Sequence, residues 1–121
     1  MIKRAKMGIP NGVFFISDPN GTDVPEWDGP LTVAATASCI AVACQHEQED
    51  EAELTLGVTP EVDPGQSPVF LGNLLTPNRK VVLETSEREI ILEMPTTGTT
   101  TRVRVWKTPP GHAEKVIVGI E

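Results

Sequence analysis

The chain has 121 residues and a formal net charge of −7. A length of that size holds one domain built round one core, and the negative charge argues against non-specific binding to nucleic acid or to an anionic membrane, since both need a cationic surface. An aromatic share of 4% with no Tyr leaves Val, Ile and Leu to fill the core, and eleven Pro with ten Gly divide the chain into short elements, the mark of an all-β protein.

The first stretch, MIKRAKMGIPNGVFFIS, is basic, but its apolar run VFFI is too short for the core of a signal peptide and no cleavage-like site follows. No segment approaches the ~20 apolar residues of a membrane-spanning helix. The expected setting is soluble and cytoplasmic. A first strand is predicted over 13–17, ended by the turn residues DPNG. The segment Pro19 to Pro30 reads as a surface loop, with Trp27 between Glu26 and Asp28.

Leu31 to Gln45 is rich in Ala, which favours a helix, yet Thr32, Val33, Thr36, Ile40 and Val42 are β-branched. It is read as one long strand bent or broken near Ser38, with its second part over 39–46. The alternation of Leu54 and Leu56 against Glu53 and Thr55 predicts a strand over 52–58. Thr59 to Pro68 is a second surface loop, followed by the less regular strand VFLGNLL before the turn TPN.

Beyond it, strands are predicted over 80–85, 89–94, 101–107 and 115–120. RVRVW is the clearest, with Val103 and Val105 on one face and Arg102, Arg104 and Trp106 on the other. About eight short strands with at most one short helix predict an antiparallel β-sandwich over 1–121, with a closed barrel as the alternative.

Charge is distributed unevenly. From Met7 to Asn78 there are eleven acids and no Lys or Arg, whereas from Arg79 onward seven bases nearly balance six acids. The densest cluster is QHEQEDE, where Glu47, Glu49, Asp50 and Glu51 follow His46 and lead to Glu53. Lying between two predicted strands, these acids are expected at a hairpin tip. A calcium loop needs a fixed carboxylate spacing and a glycine turn that this tip lacks, and a zinc site needs more than one neighbouring His or Cys. No metal is therefore expected. The plain reading is a solvated turn; the functional one is a docking patch for a basic partner.

Other candidates are sparser. His46 and Cys44, two apart on one strand, would sit about 7 Å apart, too far for proton transfer, and His112 lies in the turn TPPGHAE. Cys39 and Cys44 on one strand would be roughly 17 Å apart, beyond disulfide reach, so two free thiols and a reducing compartment are expected. No nucleophile elbow, phosphate loop or dinucleotide fingerprint occurs, so neither an enzyme nor a cofactor is expected. Trp27 and Trp106 either fill structural positions or serve as partner-facing anchors.

These features predict a non-enzymatic binding protein, an acidic inhibitor or immunity-type protein for a basic protein partner. Its docking residues would be Glu47, Glu49, Asp50, Glu51, Trp27 and Trp106. The alternative is a structural or assembly subunit, such as a phage-like β-sandwich component that self-associates through its edge strands.

Overall fold

The structure is a computed structural model that describes residues 2–19, 25, 33–108 and 113–121. Among these residues ten strands form two five-stranded sheets. They are β1 (Ile2–Met7), β2 (Val13–Ser17), β3 (Val33–Ala35), β4 (Cys39–Ala43), β5 (Ala52–Val58), β6 (Phe70–Leu75), β7 (Lys80–Thr85), β8 (Ile90–Pro95), β9 (Thr100–Thr108) and β10 (Lys115–Ile120). The order is β1-β5-β10-β9-β6 in one sheet and β3-β4-β2-β7-β8 in the other. Neither sheet closes on itself, which decides for the sandwich over the barrel. All pairings are antiparallel except β5 with β10, which run parallel.

Alternation explains how the core forms. Phe14 and Ile16 of β2, Ile40 and Val42 of β4, and Val81 and Leu83 of β7 face Leu54 and Leu56 of β5, Val103 and Val105 of β9, and Val116 and Val118 of β10, all fully buried. β-Branched and aliphatic side chains suit such a pleated, half-buried surface. One helical turn, α1 (Thr59–Val62), follows β5 and packs on the outside of the sheet over β5 and β10.

Two local expectations change. The run is broken near Ser38 as expected, but from Val33 its two parts pair with each other instead of continuing in line: β3 and β4 form a hairpin, Val33 opposite Val42 and Ala35 opposite Ile40. The turn sits at Thr36 to Ser38, where the Thr36 hydroxyl accepts from the backbone N–H of Ser38 and Cys39 at 3.4 and 3.2 Å. Side-chain bonding of this kind favours a turn over a continuing strand. β1 was not predicted, because its inward positions are Lys3, Ala5 and Met7. Lys3 lays its stem along the edge and donates its ammonium to the Glu93 carbonyl at 2.7 Å.

Candidate functional site

The acidic cluster lies on a crossover between the sheets rather than at a hairpin tip, since β4 and β5 belong to different sheets. That difference accounts for β4 ending at Ala43, short of the expected residue 46. The crossover is tied down on both sides. The N–H of Cys44 donates to the Gly12 carbonyl and that of Gln45 to the Ala113 carbonyl, both at 2.8 Å. His46 bridges Ile9, and the Glu47 N–H reaches the Ile9 carbonyl at 3.2 Å.

From there the chain makes one tight turn. The Glu49 and Asp50 N–H groups donate to the His46 carbonyl at 2.9 and 3.3 Å, and the Gln48 N–H donates to His46 Nδ1 at 3.1 Å. Asp50 Oδ1 accepts from the Glu51 N–H at 2.7 Å. Backbone and His46 thus hold the turn in shape, while Glu47, Glu49, Asp50 and Glu51 are all exposed.

The support beneath is the β1–β2 turn. Asn11 and Gly12 both have positive φ, 61° and 65°, a conformation that Asn and Gly adopt most readily. A side chain at Gly12 would meet the Cys44 carbonyl at 3.0 Å. Asn11 Nδ2 donates to Ser86 Oγ at 2.9 Å, which joins this turn to the one between β7 and β8. That second turn carries Glu87 and Glu89, both exposed, and Glu114 stands exposed before β10. One end of the sandwich is therefore an acidic face assembled from distant parts of the sequence.

Bases also stand at this end: Lys6 and Lys115 are exposed and lie opposite Glu53 across the strands. Arg88 is held by Glu84 at 2.9 Å, and among the described residues none of the ion pairs takes in Glu47, Glu49, Asp50 or Glu51. Lys107 is buried and lies inward, next to Val116 across the strands. Burial pulls its ammonium below the usual lysine range, and burial pushes the Cys44 thiol up to about 12 against the opposing influence of Lys107. Both cysteines are free and buried.

The remaining predicted residues fall elsewhere. Trp106 is not a surface anchor: it is 3% exposed, and its indole N–H donates to the Gln66 carbonyl at 2.9 Å, beneath the loop that follows α1. The buried-layer alternative describes its place. Trp27 and His112 lie outside the described residues. Asp18 stands at the opposite end of the sandwich, buried, its carboxylate accepting from the Asn78 N–H at 2.8 Å and Asn78 Nδ2 at 2.6 Å.

Glu87, Glu89 and Glu114 were missed from the sequence, because only the pairing of β2 with β7 and of β5 with β10 brings them to the same end as Glu47. Among the described residues no group of three or more His, Cys, Asp or Glu side chains is placed to hold a metal ion. Nor is any helix there long and apolar enough to cross a membrane. A cleft of about 300 Å³ on the outside of the sheet mixes Arg4 and Lys115 with Glu53 and Glu61. It has neither the single sign nor the deep apolar lining of a small-molecule site.

No protein-family model matches the chain, and no curated protein sequence matches it either. The fold is similar to that of ComJ. The crystal structure of that protein, the inhibitor of the DNA degrading activity of NucA from Bacillus subtilis, aligns with a TM-score of 0.71 over 99% of this chain and 97% of its own, at 16% identity. At that identity the likeness is one of fold, and it extends over both sheets.

Proposed function

We propose that this protein is a non-enzymatic inhibitor of immunity type that binds a basic protein partner through the acidic end of its sandwich, and that the partner is a DNA-degrading enzyme. The observation that carries the reading is the crossover from Cys44 to Glu51. It is a tight turn with four exposed carboxylates, tied down by backbone bonds to Ile9, Gly12 and Ala113.

A turn meant only to be soluble has no need of such anchoring. A docking element gains from it, because pre-ordering lowers the entropic cost of association. An enzyme that handles DNA presents cationic groups to the phosphates, and fixed carboxylates oppose such a surface well. The likeness in fold to ComJ, an inhibitor of the DNA degrading activity of NucA, supports the same class of partner. Two buried free thiols support a reducing, cytoplasmic setting.

The test is a DNA-degradation assay with a nuclease of the NucA type. Inhibition should rise with inhibitor concentration to a one-to-one limit and weaken as salt increases. Undiminished degradation at a large excess of this protein would defeat the reading.

A further inference from the structure

We infer that His46 is the positioning residue of the acidic turn: its neutral imidazole sets the turn for docking, and protonation of the ring releases it. His46 stands half-buried at the base of the turn, and its backbone is closely confined. It bridges Ile9, and a side chain at Gly12 would stand 3.5 Å from its Cα and 3.6 Å from its Cβ. From this footing the ring reaches the turn that follows it, where Nδ1 accepts the Gln48 N–H at 3.1 Å.

An Nδ1 that accepts has a lone pair and no proton, so the ring is the neutral form with its proton on Nε2. A second proton turns Nδ1 into a donor. Two donors then face each other across the same 3.1 Å, and the bond is lost. The other anchors carry no such condition, since the Glu49 and Asp50 N–H groups donate to the His46 carbonyl and the Glu47 N–H to the Ile9 carbonyl. Protonation therefore loosens the turn at Gln48, between Glu47 and Glu49, and leaves the path of the crossover unchanged.

Charge acts in the same direction. An imidazolium among Glu47, Glu49, Asp50 and Glu51 weakens the field that draws in a cationic partner. Among the described residues the loop beneath it, Gly8 to Gly12, has no titratable side chain. Around that loop stand Lys6 on β1, Glu87, Arg88 and Glu89 on the β7–β8 turn, Glu114 and Lys115 where β10 begins, and the buried Cys44 and Lys107. His46 is the one histidine among the described residues, and histidine is the side chain whose charge changes between about pH 5 and 8. Docking should strengthen as pH rises through that range.

The docking part of this inference rests on the function proposed above, but the hydrogen bond is tested without a partner. In nitrogen-15 spectra of the isolated protein at about pH 8, His46 should be the Nε2–H tautomer. As pH is lowered to about 5, the Gln48 amide proton should move with the ring, and those of Glu49 and Asp50 should move less. An Nδ1–H tautomer, or a Gln48 amide that does not follow the ring, would overturn the positioning role whatever the protein binds.

The effect on docking is read as the ratio of association rates with a nuclease of the NucA type at about pH 7.5 and about pH 5.5, so that the nuclease's own response is common to every variant. The native ratio should exceed that of His46→Asn by about threefold or more, because the Asn Oδ1 offers an acceptor in place of Nδ1 and takes no proton. His46→Ala, with no acceptor at either pH, should show the same flat ratio and associate more slowly than His46→Asn at the higher pH. His112→Asn should keep the native ratio. Equal ratios in the native protein and His46→Asn, or a response lost in His112→Asn instead, would overturn the release by protonation. Failure of every form to bind would overturn the docking function and its pH response together, while the Gln48 bond stands or falls on the tautomer.

Discussion

Ile9 and His46 form a parallel bridge that belongs to neither sheet, and the acidic turn hangs from it. Ile9 is fully buried, and its carbonyl accepts both the Gly12 N–H at 3.0 Å and the Glu47 N–H at 3.2 Å. One core residue thus sets the turn below and the acidic turn above. The position of the carboxylates is tied in this way to the core rather than left to a free loop.

That linkage makes Gly12 sensitive. With φ at +65° and the Cys44 carbonyl 3.0 Å from where a Cβ would stand, Gly12→Ala is expected to cost about 1–3 kcal/mol in urea unfolding. Gly98, whose Cβ would make only ordinary contact with the Thr100 carbonyl at 3.5 Å, provides the control. Gly98→Ala should stay within about 0.5 kcal/mol of the native protein. Equal effects at the two sites would refute the strain argument.

Trp106 should prove structural. Trp106→Phe removes the indole donor and leaves the Gln66 carbonyl without it, an expected loss of about 1–3 kcal/mol. Trp106→Ala empties a large buried site, and about 3–5 kcal/mol is expected. Neither change should alter the rate of association with a partner once unfolded material is allowed for. A lowered association rate in a fully folded Trp106→Phe protein would return the residue to the interface.

The thiols give a pH signature. Cys44 holds its proton to about 12 in the folded chain, whereas an unfolded thiol gives it up near 8.5. Between those values the folded state binds the extra proton, so the stability contributed is complete below about pH 8.5 and is lost as pH rises toward 12. Lys107, lowered by burial, works in the opposite sense, its contribution growing as pH rises toward the usual lysine range. The advantage of the native protein over Cys44→Ala should shrink by up to about 1.4 kcal/mol per pH unit above about pH 8.5. A constant difference across that range would show that Cys44 ionises no differently in the two states. Because the thiolate is the reactive form, the native protein should also resist alkylation, while the denatured, unreduced chain should yield both Cys39 and Cys44 as free thiols.

Much of this architecture is legible in alternation. The strands over 52–58 and 115–120 stand where period-two patterning puts them, and those over 13–17 and 80–85 where turn residues bound an apolar run, because each buries aliphatic side chains in the core. β1 was hidden because a lysine can occupy an inward edge position by snorkelling to the Glu93 carbonyl, which cancels the apolar signal. The β3–β4 hairpin was hidden because the Thr36 side chain, rather than Gly or Pro, makes its turn. The cluster from Glu47 to Glu51 was visible as a run of charge. Its partners Glu87, Glu89 and Glu114 were not, since local sequence says nothing about which loops a sandwich gathers at one end. The acids were expected at a hairpin tip because consecutive strands most often pair; here the chain changes sheets instead.

The central claim, that a pre-ordered acidic turn docks a basic nuclease, is tested most directly by association kinetics. Stopped-flow binding to the NucA-type nuclease would compare the native protein with a variant carrying Glu47→Lys, Glu49→Lys, Asp50→Lys and Glu51→Lys, over a range of salt. These side chains are exposed, so the variant should fold with nearly native stability. Charges facing a partner mainly set the rate of encounter. The account predicts a native association rate that falls steeply with salt, and a variant whose rate is at least tenfold lower at low salt and nearly independent of it. An unchanged rate with an unchanged salt response in the variant would contradict it and show the turn to be no more than a solvated crossover.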